Sequence, residues 1–226
     1  MKIKKNKLVL ISVLILLLIP FSFCCKNSKK QETFVSDSLS EYRKNLFVGT
    51  GSTFTVTFTS GEREEPYIMD GQKNELKDFG VITLKFDSLP ANLPQFELKV
   101  NENTFVGTLE KNPYDNTFAY DICSQVEDAD TLSFYLVDFD ETVSLNCVSN
   151  SWGYNYKSAL EIFENKYKTE INSQIQEGHL KAEIYIKIVT DNKNMENVYW
   201  YVLMVCKNGD MFALLIDTKT GQIIQN

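Results

Sequence analysis

One histidine, His179, serves all 226 residues, and no two cysteines stand in a CxxC spacing. The first scarcity forces any Ser-His-Asp or Cys-His relay through a single position. The two together remove the usual ligand sets of a zinc site. No glycine-rich loop leads into a helix: Gly49-Thr-Gly51 precedes a strand pattern, so nothing presents amides to a phosphate. Positive charge is also short, with 23 Lys and Arg against 30 Asp and Glu and a net charge of −7. An acidic chain repels phosphate backbones, which argues against nucleic acid as a partner. The acidic runs Glu62/Glu64/Glu65, Glu127/Asp128/Asp130 and Asp138/Asp140/Glu141 do not follow the twelve-residue calcium loop and read as solvated strand ends. No metal and no cofactor is expected.

What the chain does have begins at its start. "MKIKKNK" is basic, "LVLISVLILLLIP" is continuously apolar, and "FSFCC" follows at once. Such a segment engages export machinery through its hydrophobicity, with the lysines held on the cytoplasmic side. It resembles a bacterial lipoprotein signal, in which a small-residue box precedes a lipidated cysteine; here that cysteine is Cys24 or Cys25. The alternatives are an uncleaved anchor, since Leu8–Cys25 is just long enough to cross a hydrocarbon core of ~30 Å, and an ordinary cleaved signal. All three place the rest of the chain outside the cytoplasm, and the lipoprotein reading anchors it to the outer face of the cell membrane. Cys123, Cys147 and Cys206 remain beyond the leader, an odd number; Cys147 and Cys206 read as buried, inert thiols, with a Cys123–Cys147 bridge as the minor alternative.

Residues 26–45 are polar and read as a spacer, with a short helix near Leu39–Asn45 as an option. From 46 to 150 the apolar period is two. Phe54/Val56/Phe58, Ile82/Leu84/Phe86, Phe96/Leu98/Val100, Leu132/Phe134/Leu136 and Val143/Leu145/Cys147 alternate with polar residues, and about seven strands are expected. This predicts an antiparallel, all-β sandwich of immunoglobulin-like architecture. About twenty residues, "GEREEPYIMDGQKNELKDFG", separate two of its strands, longer than a simple turn needs. Within them Glu64, Tyr67, Ile68 and Met69 form either an apolar plug on the sandwich or an exposed interaction loop.

Over 151–226 the period changes. Leu160, Phe163, Tyr167, Ile171 and Ile175 fall at helical spacing, with Asn155 or Ser158 as the cap and Gly178 as the stop. Three strands and a final hairpin follow. Leu180, Ala182, Ile184, Ile186 and Ile188 point inward and the opposite face is wet; "VYWYVLMVC" is apolar on both faces; Asn208-Gly209 marks a turn. From "KSALEIF" to "LLIDTKTGQII" this α+β segment resembles a PepSY domain, the match running through Ile216, Asp217, Thr220, Gly221, Ile223 and Ile224. In the residues themselves, Asp217, Thr220 and Gly221 form a turn rather than a reaction centre.

The resemblance implies an inhibitory or peptide-binding role. With no catalytic constellation, the expectation is a non-enzymatic, membrane-anchored module that binds peptide or protein in the bacterial envelope. Two alternatives stand beside it: an envelope hydrolase using an acidic pair such as Asp138 and Asp140, or His179, and a structural adaptor held by an uncleaved N-terminal helix.

Overall fold

The computed structural model describes residues 35–126, 129–190 and 197–224, and the leader with Cys24 and Cys25 lies outside them. The described residues form one compact unit. Among the described residues it is mostly β, built on a large mixed sheet with two α-helices.

Three strands of twelve residues form the spine: β1 (Leu39–Thr50), β2 (Phe54–Glu65) and β3 (Glu75–Phe86). They pair antiparallel in sequence order. Beyond β3 lie β7 (Thr117–Ile122) and the two-residue β6 (Glu110–Lys111). A second group, β4 (Gln95–Val100), β5 (Asn103–Thr108), β8 (Thr131–Leu136) and β9 (Glu141–Cys147), runs in the order β5-β4-β8-β9 and rejoins β1 through β9.

After β9 come helices α1 (Tyr156–Lys166) and α2 (Lys168–Ser173), then a small hairpin of β10 (Ile175–Gln176) and β11 (His179–Leu180). The chain finishes as an antiparallel run, β12 (Ala182–Thr190), β13 (Val198–Cys206), β14 (Met211–Asp217) and β15 (Ile223–Ile224). This run joins the sheet through a parallel pairing of β12 with β1, Leu39 opposite Ile184 and Tyr42 opposite Ile186.

β1 therefore changes partner along its length. Its first half lies against β12, while Phe47 and Val48 lie against Cys147 and Asn146 of β9. Because successive side chains leave a strand on opposite faces, Leu46 and Val48 enter one apolar cluster and Phe47 the other. The first cluster holds Ala159, Leu160 and Phe163 of α1 against Ile184, Ile186, Trp200 and Val202. The second holds Phe54, Phe58, Ile82, Leu84, Phe96, Leu98, Phe134 and Leu145. The division expected near residue 150 is thus crossed by a strand pair, and both clusters share β1.

Several expectations meet a different local structure. The described end of the spacer is structured: Val35, Leu39 and Tyr42 are buried, Val35–Ser38 is a 3-10 turn, and Leu39–Asn45 is strand rather than helix. The twenty-residue gap shrinks to residues 66–74, because β2 and β3 continue in register as far as Glu65 opposite Glu75. The helix breaks at Tyr167, with Asn155 as its cap, and Ile175 belongs to β10. Gly178 (φ +80°) sits with Glu177 in the β10–β11 turn rather than ending the helix. Cys147 is half-buried beside Ser149, and all three described cysteines are free.

Candidate functional site

The inward phase runs as expected from Leu180 of β11 into β12, with Leu180, Ala182, Ile184, Ile186 and Ile188 all buried. Its other face is not wet. Glu183 and Tyr185 are 0% exposed there, because loop 66–74 folds back over them.

The loop is fastened by two carboxyls. Glu183 accepts the backbone N–H of Gly71 through one oxygen and the hydroxyl of Ser40 through the other, at 3.3 Å. Glu64, 2% exposed at the end of β2, accepts the Asn74 N–H at 2.9 Å and the Tyr185 hydroxyl at 3.1 Å. Glu183 and Tyr185 stand two positions apart on one face of β12, so the Tyr185 hydroxyl that reaches Glu64 brings the two carboxyls into one buried site. Burial, with Glu64 as a negative neighbour, raises the Glu183 carboxyl above the usual range and outweighs the Gly71 N–H. Tyr185 is driven far above the ordinary phenol value by burial and by both carboxyls, so it stays a neutral donor.

A second layer lies toward solvent. Glu41, 1% exposed on β1, pairs with Arg43 at 3.0 Å and Lys187 at 3.4 Å. Lys187 also donates to the Tyr67 hydroxyl at 2.8 Å. The Tyr67 ring stands edge-on to that of Tyr185, with centroids 5.9 Å apart, and Arg63 lies over its face at 5.2 Å. Partial burial and the nearby Glu41 raise the Tyr67 phenol. Tyr67 is thereby held at its polar end, whereas Ile68 and Met69 beside it are 49% and 46% exposed.

Of the four loop residues named from sequence, three sit together at the surface, and Glu64 is a buried fastening beneath them. The other candidates are dispersed. Asp138 accepts the Gln95 N–H at 3.0 Å and Asp140 the Tyr135 hydroxyl at 2.9 Å, so each serves a different element. His179 is exposed on β11. Asp217 collects the N–H groups of Lys219 and Thr220 and the Thr220 hydroxyl at 2.7–3.0 Å, and Gly221 takes φ +70°. Among the described residues no group of three or more His, Cys, Asp or Glu is placed to hold a metal, and no helix is long and apolar enough to cross a membrane.

Sequence reasoning missed Glu41, Glu183 and Tyr185. Glu183 and Tyr185 occupy the polar phase of an alternating strand in "AEIYIK", which reads as solvent-facing, and Glu41 falls in the polar stretch "LSEYRKN", which reads as spacer. The only hint was a tyrosine set between two charges on that phase. In comparison with known proteins, no family model matches the chain, and neither does any curated protein or solved structure.

The buried pair is closed to substrate while the loop is in place. Its chemistry is that of a fastening: it satisfies loop amides that would otherwise be buried without partners. What it presents to solvent is an apolar tip on a fixed base.

Proposed function

We propose that the protein is a non-enzymatic binding module of the bacterial envelope, exported and anchored through its leader at Cys24 or Cys25, and that it takes peptide or protein on the tip Tyr67-Ile68-Met69. The observation that carries this reading is the contrast within loop 66–74: exposed apolar side chains at its tip, and at its base Gly71 and Asn74 tied to buried carboxyls. An apolar tip that is already ordered loses little conformational entropy on docking, which is how a small contact gains affinity. The architecture fits the same reading. Strands β2 to β9 are consistent with an immunoglobulin-like sandwich, and α1 followed by β12–β15, with the Asp217–Gly221 turn between β14 and β15, supports the PepSY resemblance.

The test is capture on cells. A photo-crosslinking residue at position 69 of the full-length chain should give one discrete adduct, reduced at least about tenfold by Ile68→Asp, equivalent to ~1.4 kcal/mol of binding. An adduct pattern unchanged by Ile68→Asp, or the absence of any adduct, overturns the reading.

A further inference from the structure

We propose that loop 66–74 is a latch closed over the buried carboxyls of Glu64 and Glu183, and that the second negative charge this pair takes on as the medium becomes alkaline releases the loop. The geometry assembles it from three separate pieces of chain. Glu64 ends β2, Glu183 lies near the start of β12, and the loop supplies Gly71 N–H to one and Asn74 N–H to the other. Both carboxyls are almost wholly buried, and the loop is part of what buries them.

The charges facing the pair are already committed. From β1, Glu41 is matched by Arg43. From β12, Lys187 also goes to Glu41 and to the Tyr67 hydroxyl. From β2, Arg63 pairs with Asp121 at 2.9 Å and lies over Tyr67 and Phe79. From the loop, Asp70 accepts the Gln72 N–H and Lys73 donates to the Asp37 carbonyl. Where the loop crosses the β13–β14 turn, it meets the backbone of Lys207. A second negative charge on the pair would therefore sit beside the first in a dry site, with Tyr185 and Ser40 as its neutral donors. Lifting the loop admits water to both carboxylates and separates neither strand from the sheet.

The sign follows from proton binding. Burial, and then the neighbouring Glu64, raise the Glu183 carboxyl in the closed site; lifting the loop removes part of that burial, so closure is strongest in acid. The open population should grow about tenfold per pH unit above the ordinary glutamic acid value of about 4.3, and level off beyond the raised value of Glu183. How the loop is attached does not depend on what its tip binds.

The experiment is amide hydrogen exchange of residues 66–74 in the full-length chain without any partner, between about pH 4.5 and 9, corrected for the intrinsic rate at each pH. Protection should fall by about tenfold per unit and then plateau, while β13 amides stay unchanged. Glu183→Gln, a neutral isostere, should make the profile flat. If that variant does not fold, Glu64→Gln removes the same pair from β2. If neither folds, the carboxyl-carbon titration of Glu183 in the wild-type chain must reach its midpoint where the exchange profile levels off. A flat wild-type profile, a slope that survives either substitution, or a Glu183 midpoint at a different pH would falsify the latch.

Discussion

Leu39 lies opposite Ile184 where β1 and β12 run side by side in parallel, joining segments 145 positions apart in the chain. The two side chains are 7% and 0% exposed, and both belong to the cluster under α1. Because β1 also feeds Phe47 into the other cluster, the two clusters should unfold together. Ile184→Ala is expected to cost about 2–5 kcal/mol. Urea unfolding followed by tryptophan fluorescence reports only the first cluster, since Trp152 and Trp200 both sit there, whereas far-UV circular dichroism reports the whole sheet. The two transitions should coincide and shift by the same amount. A dichroism midpoint that stays in place while the fluorescence midpoint falls would show the halves to be independent.

Strand period was legible because it follows from side-chain geometry alone. The buried series in β2, β3, β4, β8 and β12 are those that alternation picks out in the sequence. Partner choice was not legible. Nothing in "LSEYRKNLFVGT" states that its front half will lie along "AEIYIK", and a segment with Ser, Glu, Arg, Lys and Asn reads as spacer until Glu41 finds Arg43 and Lys187, and Ser40 finds Glu183. The site was hidden for the same reason. Polar residues on the outer phase of a strand look solvated, and only the long-range return of loop 66–74 buries them. Glu64 sits in a stretch that reads as loop and is the last but one position of a strand.

Gly61 should be intolerant of any side chain. A Cβ there would lie 2.0 Å from the Tyr42 carbonyl oxygen and 2.9 Å from Arg43 Cα, backbone atoms that cannot swing aside. It stands opposite Arg43, where the β1–β2 register slips between Arg43 and Asn45. Gly61→Ala should therefore destabilise by about 1–3 kcal/mol even though alanine is otherwise the better strand residue. The urea midpoint measures this, and a midpoint equal to wild type would mean that the bulge can move.

The start of α1 rests on one side chain. Asn155 Oδ1 accepts the N–H groups of Lys157 and Ser158 at 3.0 and 3.1 Å. Asn155→Ala should cost about 0.5–2 kcal/mol, while Asn155→Asp should retain most or all of the stability, because a carboxylate accepts the same bonds and suits the positive end of a helix. Thermal unfolding of the three proteins orders them. Alanine equal to asparagine would locate the cap elsewhere, as in the Ser158 reading of the sequence.

The final turn gives a pH dependence opposite in sign to that of the latch. Burial pulls the Asp217 carboxyl upward, but the N–H and hydroxyl of Thr220 and the N–H of Lys219 together outweigh it and hold the group below the usual aspartate range. A carboxyl depressed in the folded state stabilises the fold above its unfolded value of about 3.9, and that contribution disappears as pH falls through the folded value. The turn also seats the chain that enters α1: Gly221 lies against the Tyr154 ring, and Tyr154 donates its N–H to the Thr218 carbonyl at 3.0 Å. Asp217→Asn keeps an acceptor oxygen and loses the charge, so at neutral pH it should be less stable than wild type by roughly 1 kcal/mol after allowance for solvent screening. The gap should close in strong acid, where the wild-type carboxyl is also neutral. Urea midpoints of the two proteins compared at about pH 7 and again near pH 2 test this, bracketing the ordinary aspartate value; a gap of the same size at both would assign the loss to shape rather than charge.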